Sequence, residues 1–141
     1  MPSEPVFIQH LTVSDDDADR NGHVNNVVYV RWMQDIAVAH YKSQVSHEQT
    51  QQLQCLWVAR SHYIEYLAQA RPGDQLELAT WIENWRRVRS TRRYRFRRTS
   101  DGAVVAKGET DWVLIDSESH RPKSIPQQIK DQFVLRPDDP E

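Results

Sequence analysis

Asp17-Ala18-Asp19-Arg20-Asn21-Gly22-His23-Val24-Asn25-Asn26-Val27-Val28-Tyr29 is the stretch on which the fold turns. The acidic run Asp15-Asp16-Asp17-Ala18-Asp19 is too charged to pair as a strand, so it is expected to form a loop. After Gly22 the pattern changes: Val27, Val28, Val30, Met33, Ile36, Ala37 and Tyr41 recur at three- and four-residue steps, the spacing of one helix face. Asn25 or Asn26 is the expected N-cap, because its side-chain amide oxygen can accept from an orphaned amide of the first turn. Trp32 and Ala39 widen the apolar stripe, and a helix of that kind should be wrapped by other structure on most sides.

Outward from this point the chain reads as strands. Val6 to Val13 has β-branched and aromatic content, and Leu53 to Leu67 is expected to be a long strand ended by the turn Arg71-Pro72-Gly73-Asp74. Leu76, Leu78, Thr80 and Ile82 alternate with Glu77, Ala79, Trp81 and Glu83, giving one apolar and one mixed face. Residues 93 to 97 alternate in the same way, and Ala106, Gly108, Thr110, Trp112 and Leu114 form a further inward row after the turn Ser100-Asp101-Gly102. The proline-bearing end, with Pro122, Pro126, Pro137 and Pro140, leaves room for at most a short helix between Gln127 and Phe133. Strand, helix, then four strands, with no second helix for parallel crossovers, implies an α+β fold: one helix against an antiparallel sheet.

Bulk properties narrow the class. A chain of 141 residues is expected to be one domain, since a single core serves chains up to about 250 residues. Its net charge of −2 says little about partners. The lone Cys55 excludes a disulfide framework and a cysteine-rich zinc site, and fits a reducing cytoplasm. No apolar run approaches the roughly 18 residues that span a bilayer, and the start, MPSEPVFIQH, lacks a signal-peptide pattern. The six histidines are scattered, with no ligand-like spacing, so no metal or redox cofactor is implied.

The opening stretch resembles the D-x-D-x-x-G-H-V-N-N-x-x-Y signature of the 4-hydroxybenzoyl-CoA thioesterase-like branch of the hotdog superfamily. Asp19, Asn21 and His23, as D-x-N-x-H, are also similar to the catalytic segment of acyl-ACP thioesterases. Residues 71 to 76 and the tail Arg121-Pro122-Lys123-Ser124-Ile125-Pro126 are weaker echoes that extend the similarity over most of the chain. The resemblance implies a hotdog fold, a long central helix wrapped by a five-stranded antiparallel sheet, with sites at the interface of a homodimer or homotetramer. It also implies that Asp19 is the catalytic carboxylate of an acyl-CoA or acyl carrier protein thioesterase, as general base or nucleophile. Where the acyl-ACP enzymes carry an acid and a cysteine after the second strand, this chain has Gln69 and Ala70, and the only acid nearby is Glu65. Those enzymes join two hotdog units, whereas this chain has room for one, so a paired site requires a second subunit.

The chemistry of the residues agrees. Attack on a thioester turns its carbonyl oxygen into an oxyanion, so a catalyst needs a proton acceptor on one side and amide donors on the other. Asp19 precedes the helix and suits the first task; the amides of Asn25 and Asn26 at the positive end of the helix dipole suit the second. His23 can orient the water or hold the carbonyl, and Asn21 can fix that water or the carboxylate. Asp17 reads as a loop-shaping residue. Trp32, Trp57 and Tyr63 are candidate walls of an acyl channel.

Arginines crowd residues 86 to 98. If 87 to 97 is one unbroken strand, Arg87, Arg89, Arg93, Arg95 and Arg97 share a face, and one or two of them, Arg87 and Arg89 for choice, can bind the phosphates of CoA. The rest should be paired with acids on a solvated face. Two rival readings remain: a hotdog protein that binds acyl-CoA without turning it over, and a nucleic-acid-binding module using the arginine strand, which the balanced charge opposes.

Overall fold

In a computed structural model the described residues are 4–137, so Pro140 and the outermost residues of the expected 1–141 domain lie outside it. Five strands make one antiparallel sheet in the order β1-β3-β4-β5-β2, with β1 Phe7–Thr12, β2 Cys55–Tyr66, β3 Gln75–Ile82, β4 Arg89–Arg98 and β5 Val104–Asp116. The long helix α1, Asn26–Gln44, lies against one face of it. This is the expected hotdog architecture.

Two local departures have plain causes, and one short helix falls where it was expected. The acidic run is not wholly irregular: Asp15–Asp17 forms a single 3₁₀ turn opened by Ser14, whose amide and hydroxyl both donate to the Asp17 carboxylate. A six-residue helix α2, His47–Gln52, precedes β2; its polar sequence has no apolar stripe, and only the cap, with Ser46 accepting from the Gln49 amide, marks its start. A four-residue helix α3, Gln127–Lys130, follows Pro126 and occupies part of the window allowed for it.

The sheet's inward rows match their sequence alternation. Leu76, Leu78, Tyr94, Phe96 and Ala106 pack with Met33 and Ile36 of α1 in one cluster. Ile82, Leu114, Val45, Ile129 and Phe133 form a second, at the C-terminal end of the helix. Between them on β3 stands Thr80, and with Arg92 and His40 it forms a buried polar layer that splits the core. On the helix, Val27 was expected inward but is 68% exposed, while Tyr29 and His40 are buried. The buried face therefore runs through positions 29, 33, 36 and 40, one residue round from the apolar count at its start.

Gly108 packs directly beneath Met33 of the helix. A Cβ there would stand 2.9 Å from Met33 Sδ and 3.2 Å from the Tyr63 carbonyl oxygen. Gly108→Val is therefore expected to cost about 1 to 3 kcal/mol by overpacking, read from urea denaturation midpoints at constant slope. An unchanged midpoint would show that helix and strand are free to part.

Candidate active site

The loop between β1 and α1 is held from both ends. Ala18 and Val24 form an antiparallel bridge, the Asp19 amide donates to the His23 carbonyl at 2.8 Å, and Gly22 turns the chain back with φ +76°, a conformation that favours glycine. Val24 in turn donates to the Ala70 carbonyl at 2.8 Å, which ties the loop to the segment after β2. Asp17 is nearly buried and anchors the loop to the helix: its Oδ1 accepts from Arg31 Nη2 at 3.0 Å, and its backbone oxygen accepts from the Asn25 amide. Burial pushes the Asp17 carboxyl up, but the bonds from Ser14 and Arg31 outweigh it and hold the carboxyl below its ordinary value. Asp17 thus shapes the loop, as its place in the sequence suggested.

Asp19 Oδ1 accepts the amides of Asn21, at 2.9 Å, and His23, at 3.3 Å. No described residue bonds to Oδ2. Asn25 is the N-cap, its side chain accepting from Val27 at 3.1 Å. Because the Asn25 amide is already given to Asp17, the pair of donors expected at the helix tip reduces to one: the Asn26 amide, which has no partner among the described residues. Asn21 is exposed and His23 half-buried, and neither side chain is bonded to a described residue. The structure thus brings Asp19, Asn21, His23 and Asn26 to one loop at the positive end of α1, with a carboxylate oxygen open to solvent. Asp19 is exposed in the single chain, and the two clefts described below are lined by other residues.

The candidate substrate-binding residues scatter. Trp32 is a core residue, edge-on to Tyr29 and tilted against Phe96. Trp57 faces the helix side of the sheet and lines an apolar cleft beside the C-terminal half of α1. Tyr63 is corrected outright: it lies on the opposite face, in a polar cleft with Glu65, Trp81 and Arg93. The register of β2 slips against β5 between Ala59 and Ser61, so odd positions point toward the helix before the slip and away from it after. Two odd-numbered residues across a bulge cannot share a wall. The same slip carries Glu65 to the far face, which leaves no acid from β2 beside Asp19.

Arg87 does not lie on a strand, since β4 begins at Arg89; it is an exposed loop residue whose carbonyl accepts from Ile125. Arg89 reaches Asp111 at 3.5 Å, Arg93 reaches Glu83 at 2.6 Å and Arg95 reaches Glu77 at 3.9 Å, the acid-paired face expected for most of this row. One residue beside the loop was not anticipated: Tyr66, at the end of β2, donates its hydroxyl to the Asn26 carbonyl at 3.2 Å. Its even position after an undetected bulge gave no sign of that in the sequence.

Loop and architecture together define a hotdog domain with its polar loop at the helix N-terminus. The chain belongs to the thioesterase-like superfamily, whose profile matches residues 13–133. It is similar to oleoyl-acyl carrier protein thioesterase 1 of Arabidopsis thaliana, 23% identical over 83 residues, which are 59% of this chain and 23% of that protein. The chain thus matches under a quarter of that relative's length. Among solved structures it resembles SAV2348 of Staphylococcus aureus in complex with CoA, with a TM-score of 0.84, 19% identity, and 94% of this chain and 83% of that one covered. It also resembles the probable thioesterase YbaW of Escherichia coli, with a TM-score of 0.81, 17% identity, and coverage of 89% and 94%. Likeness at these identities establishes the fold.

Proposed function

We propose that this chain, as one hotdog unit, hydrolyses an acyl-CoA thioester to free acid and thiol with Asp19 as the general base. The observation that carries the proposal is the Asp19 carboxylate, fixed through one oxygen by two backbone amides and open through the other, beside the unengaged Asn26 amide. In this reading Asp19 takes a proton from water as its oxygen bonds to the carbonyl carbon. The Asn26 amide and the helix dipole stabilise the oxyanion, and collapse breaks the C–S bond with the proton returned to the departing sulfur. Asn21 and His23, unbonded at the rim, orient the water or the carbonyl. As nucleophile instead, Asp19 would form an anhydride and release the thiol, and a single turnover in ¹⁸O-water would place label in its side chain where water then attacks the Asp19 carbonyl.

Because Asp19 is exposed in one chain, the wall for the acyl group is supplied by a second copy. Strand β2 supports this: it is an edge of the sheet, twelve residues long, with Leu56, Val58, Tyr63, Tyr66 and Leu67 exposed along and just beyond it. An open apolar edge of that length invites pairing with another strand. CoA as carrier is supported by the CoA-bound relative in fold, and acyl carrier protein by the relative in sequence; the free-CoA form is favoured here. The cytoplasm remains the proposed compartment, and among the described residues no helix is long and apolar enough to cross a membrane.

The test is thiol release from a panel of short, long and aromatic acyl-CoAs. Turnover is expected on at least one. Saturable binding across the panel with no thiol released from any member would leave an acyl-CoA-binding protein in its place.

A further inference from the structure

We propose that the cleft beside the C-terminal half of α1 is a binding site for an apolar carboxylate, whose anionic end is taken by Arg92. The cleft has a volume of about 130 Å³ and is open to solvent on one side, and its walls include Tyr41, Trp57, Trp85, Trp112 and Phe133. Arg92 lies in one wall, 6% exposed, on the helix-facing side of β4. Its Nη1 lies 2.8 Å from His40 Nδ1 and 3.2 Å from Thr80 Oγ1, and no acid pairs with it among the described residues. Its neighbours on the strand, Arg89, Arg93, Arg95 and Arg98, each have one.

A buried cation with only neutral partners is costly unless something anionic completes it. The His40 partner does not supply a counter-charge; burial first, and Arg92 second, hold its imidazole neutral down to about 3. No acid is among the lining residues, and the second cation there, Lys42, is exposed. An aromatic body cavity with a guanidinium in its wall selects one chemistry: an alkyl or aryl chain ending in a carboxylate, which the guanidinium fork accepts bidentately. From Asn26 to Tyr41 the helix rises about 22 Å, so within one chain this site is separate from the Asp19 loop.

Octanoate and 1-octanol, titrated calorimetrically into the full chain, provide the test, with the fluorescence of the lining tryptophans as a second reading. Octanoate is expected to bind about ten-fold or more tighter than the alcohol, the scale of one charge-assisted bond pair. Val38 is 46% exposed at the cleft, and Val38→Glu should weaken octanoate and leave octanol unchanged without burying anything new. Arg92→Met should abolish the preference where the variant folds. Equal affinities, absent octanoate binding, or indifference to Val38→Glu would each overturn the site. The inference goes beyond the proposed hydrolysis, although an apolar acid is also what that reaction releases. Octanoate binding is expected to persist in Asp19→Asn, so failure of the site and failure of the hydrolysis are read separately.

Discussion

Asp19→Asn is expected to lower thioester turnover by at least about 100-fold while leaving the fold and the melting temperature essentially unchanged, the loss characteristic of removing a general base. The substitution is discriminating because of how Asp19 is held. Its Oδ1 accepts from the Asn21 and His23 amides, and an asparagine Oδ1 can accept both in the same way. What changes is the other terminus, an oxygen open to solvent that becomes an amide unable to take a proton. Asp17→Asn is the control. Asp17 faces Arg31 and Ser14 and not the solvent side of the loop, so the variant should lose stability rather than rate. Equal rates in wild type and Asp19→Asn would remove the carboxylate from the mechanism, and an equal loss in both variants would assign it to loop geometry.

The parts of the fold legible in the sequence were those in which period and position coincide. The inward rows Leu76 to Ile82 and Ala106 to Leu114 could be assigned from alternation because those strands run without a slip through the residues concerned. Asn25 could be read as a cap because its side chain acts locally on Val27. What alternation could not carry was a phase change. The irregularity after Ala59 moves Tyr63 to the far side of the sheet, and nothing in that strand's composition marks it. The alternation that places Arg87 on β4 runs two residues past the strand's true start. Within the candidate site, the loop itself was legible from Asp17 to Asn26. The fate of the Asn25 amide was not, because it depends on where the Asp17 carbonyl folds back. The polar layer escaped for a similar reason: Arg92, His40 and Thr80 are distant in sequence, and an arginine in a row of arginines carries no sign that it turns inward.

That layer sets the second large effect, on stability against acid. In the unfolded chain His40 takes up its proton near the ordinary 6.5, whereas in the folded protein burial, reinforced by the Arg92 charge, keeps it neutral down to about 3. Between those values the unfolded state holds one more proton, so stability rises with pH across the window; it is fully present above 6.5 and is lost as pH falls toward about 3. At 1.36 kcal/mol per unit the whole window is worth about 4 to 5 kcal/mol, and the part between pH 6.5 and 4.5 about 2 to 3 kcal/mol. His40→Gln removes the titration, while its side-chain oxygen can still accept from Arg92 Nη1. Urea denaturation at pH 7.0 and 4.5 should therefore show wild type losing about 2 to 3 kcal/mol more than His40→Gln over that interval, even if the variant is less stable at neutral pH. All other groups are common to both proteins and cancel in the comparison. Parallel losses would mean that His40 protonates without unfolding, and that Arg92 can move away from it into the cleft.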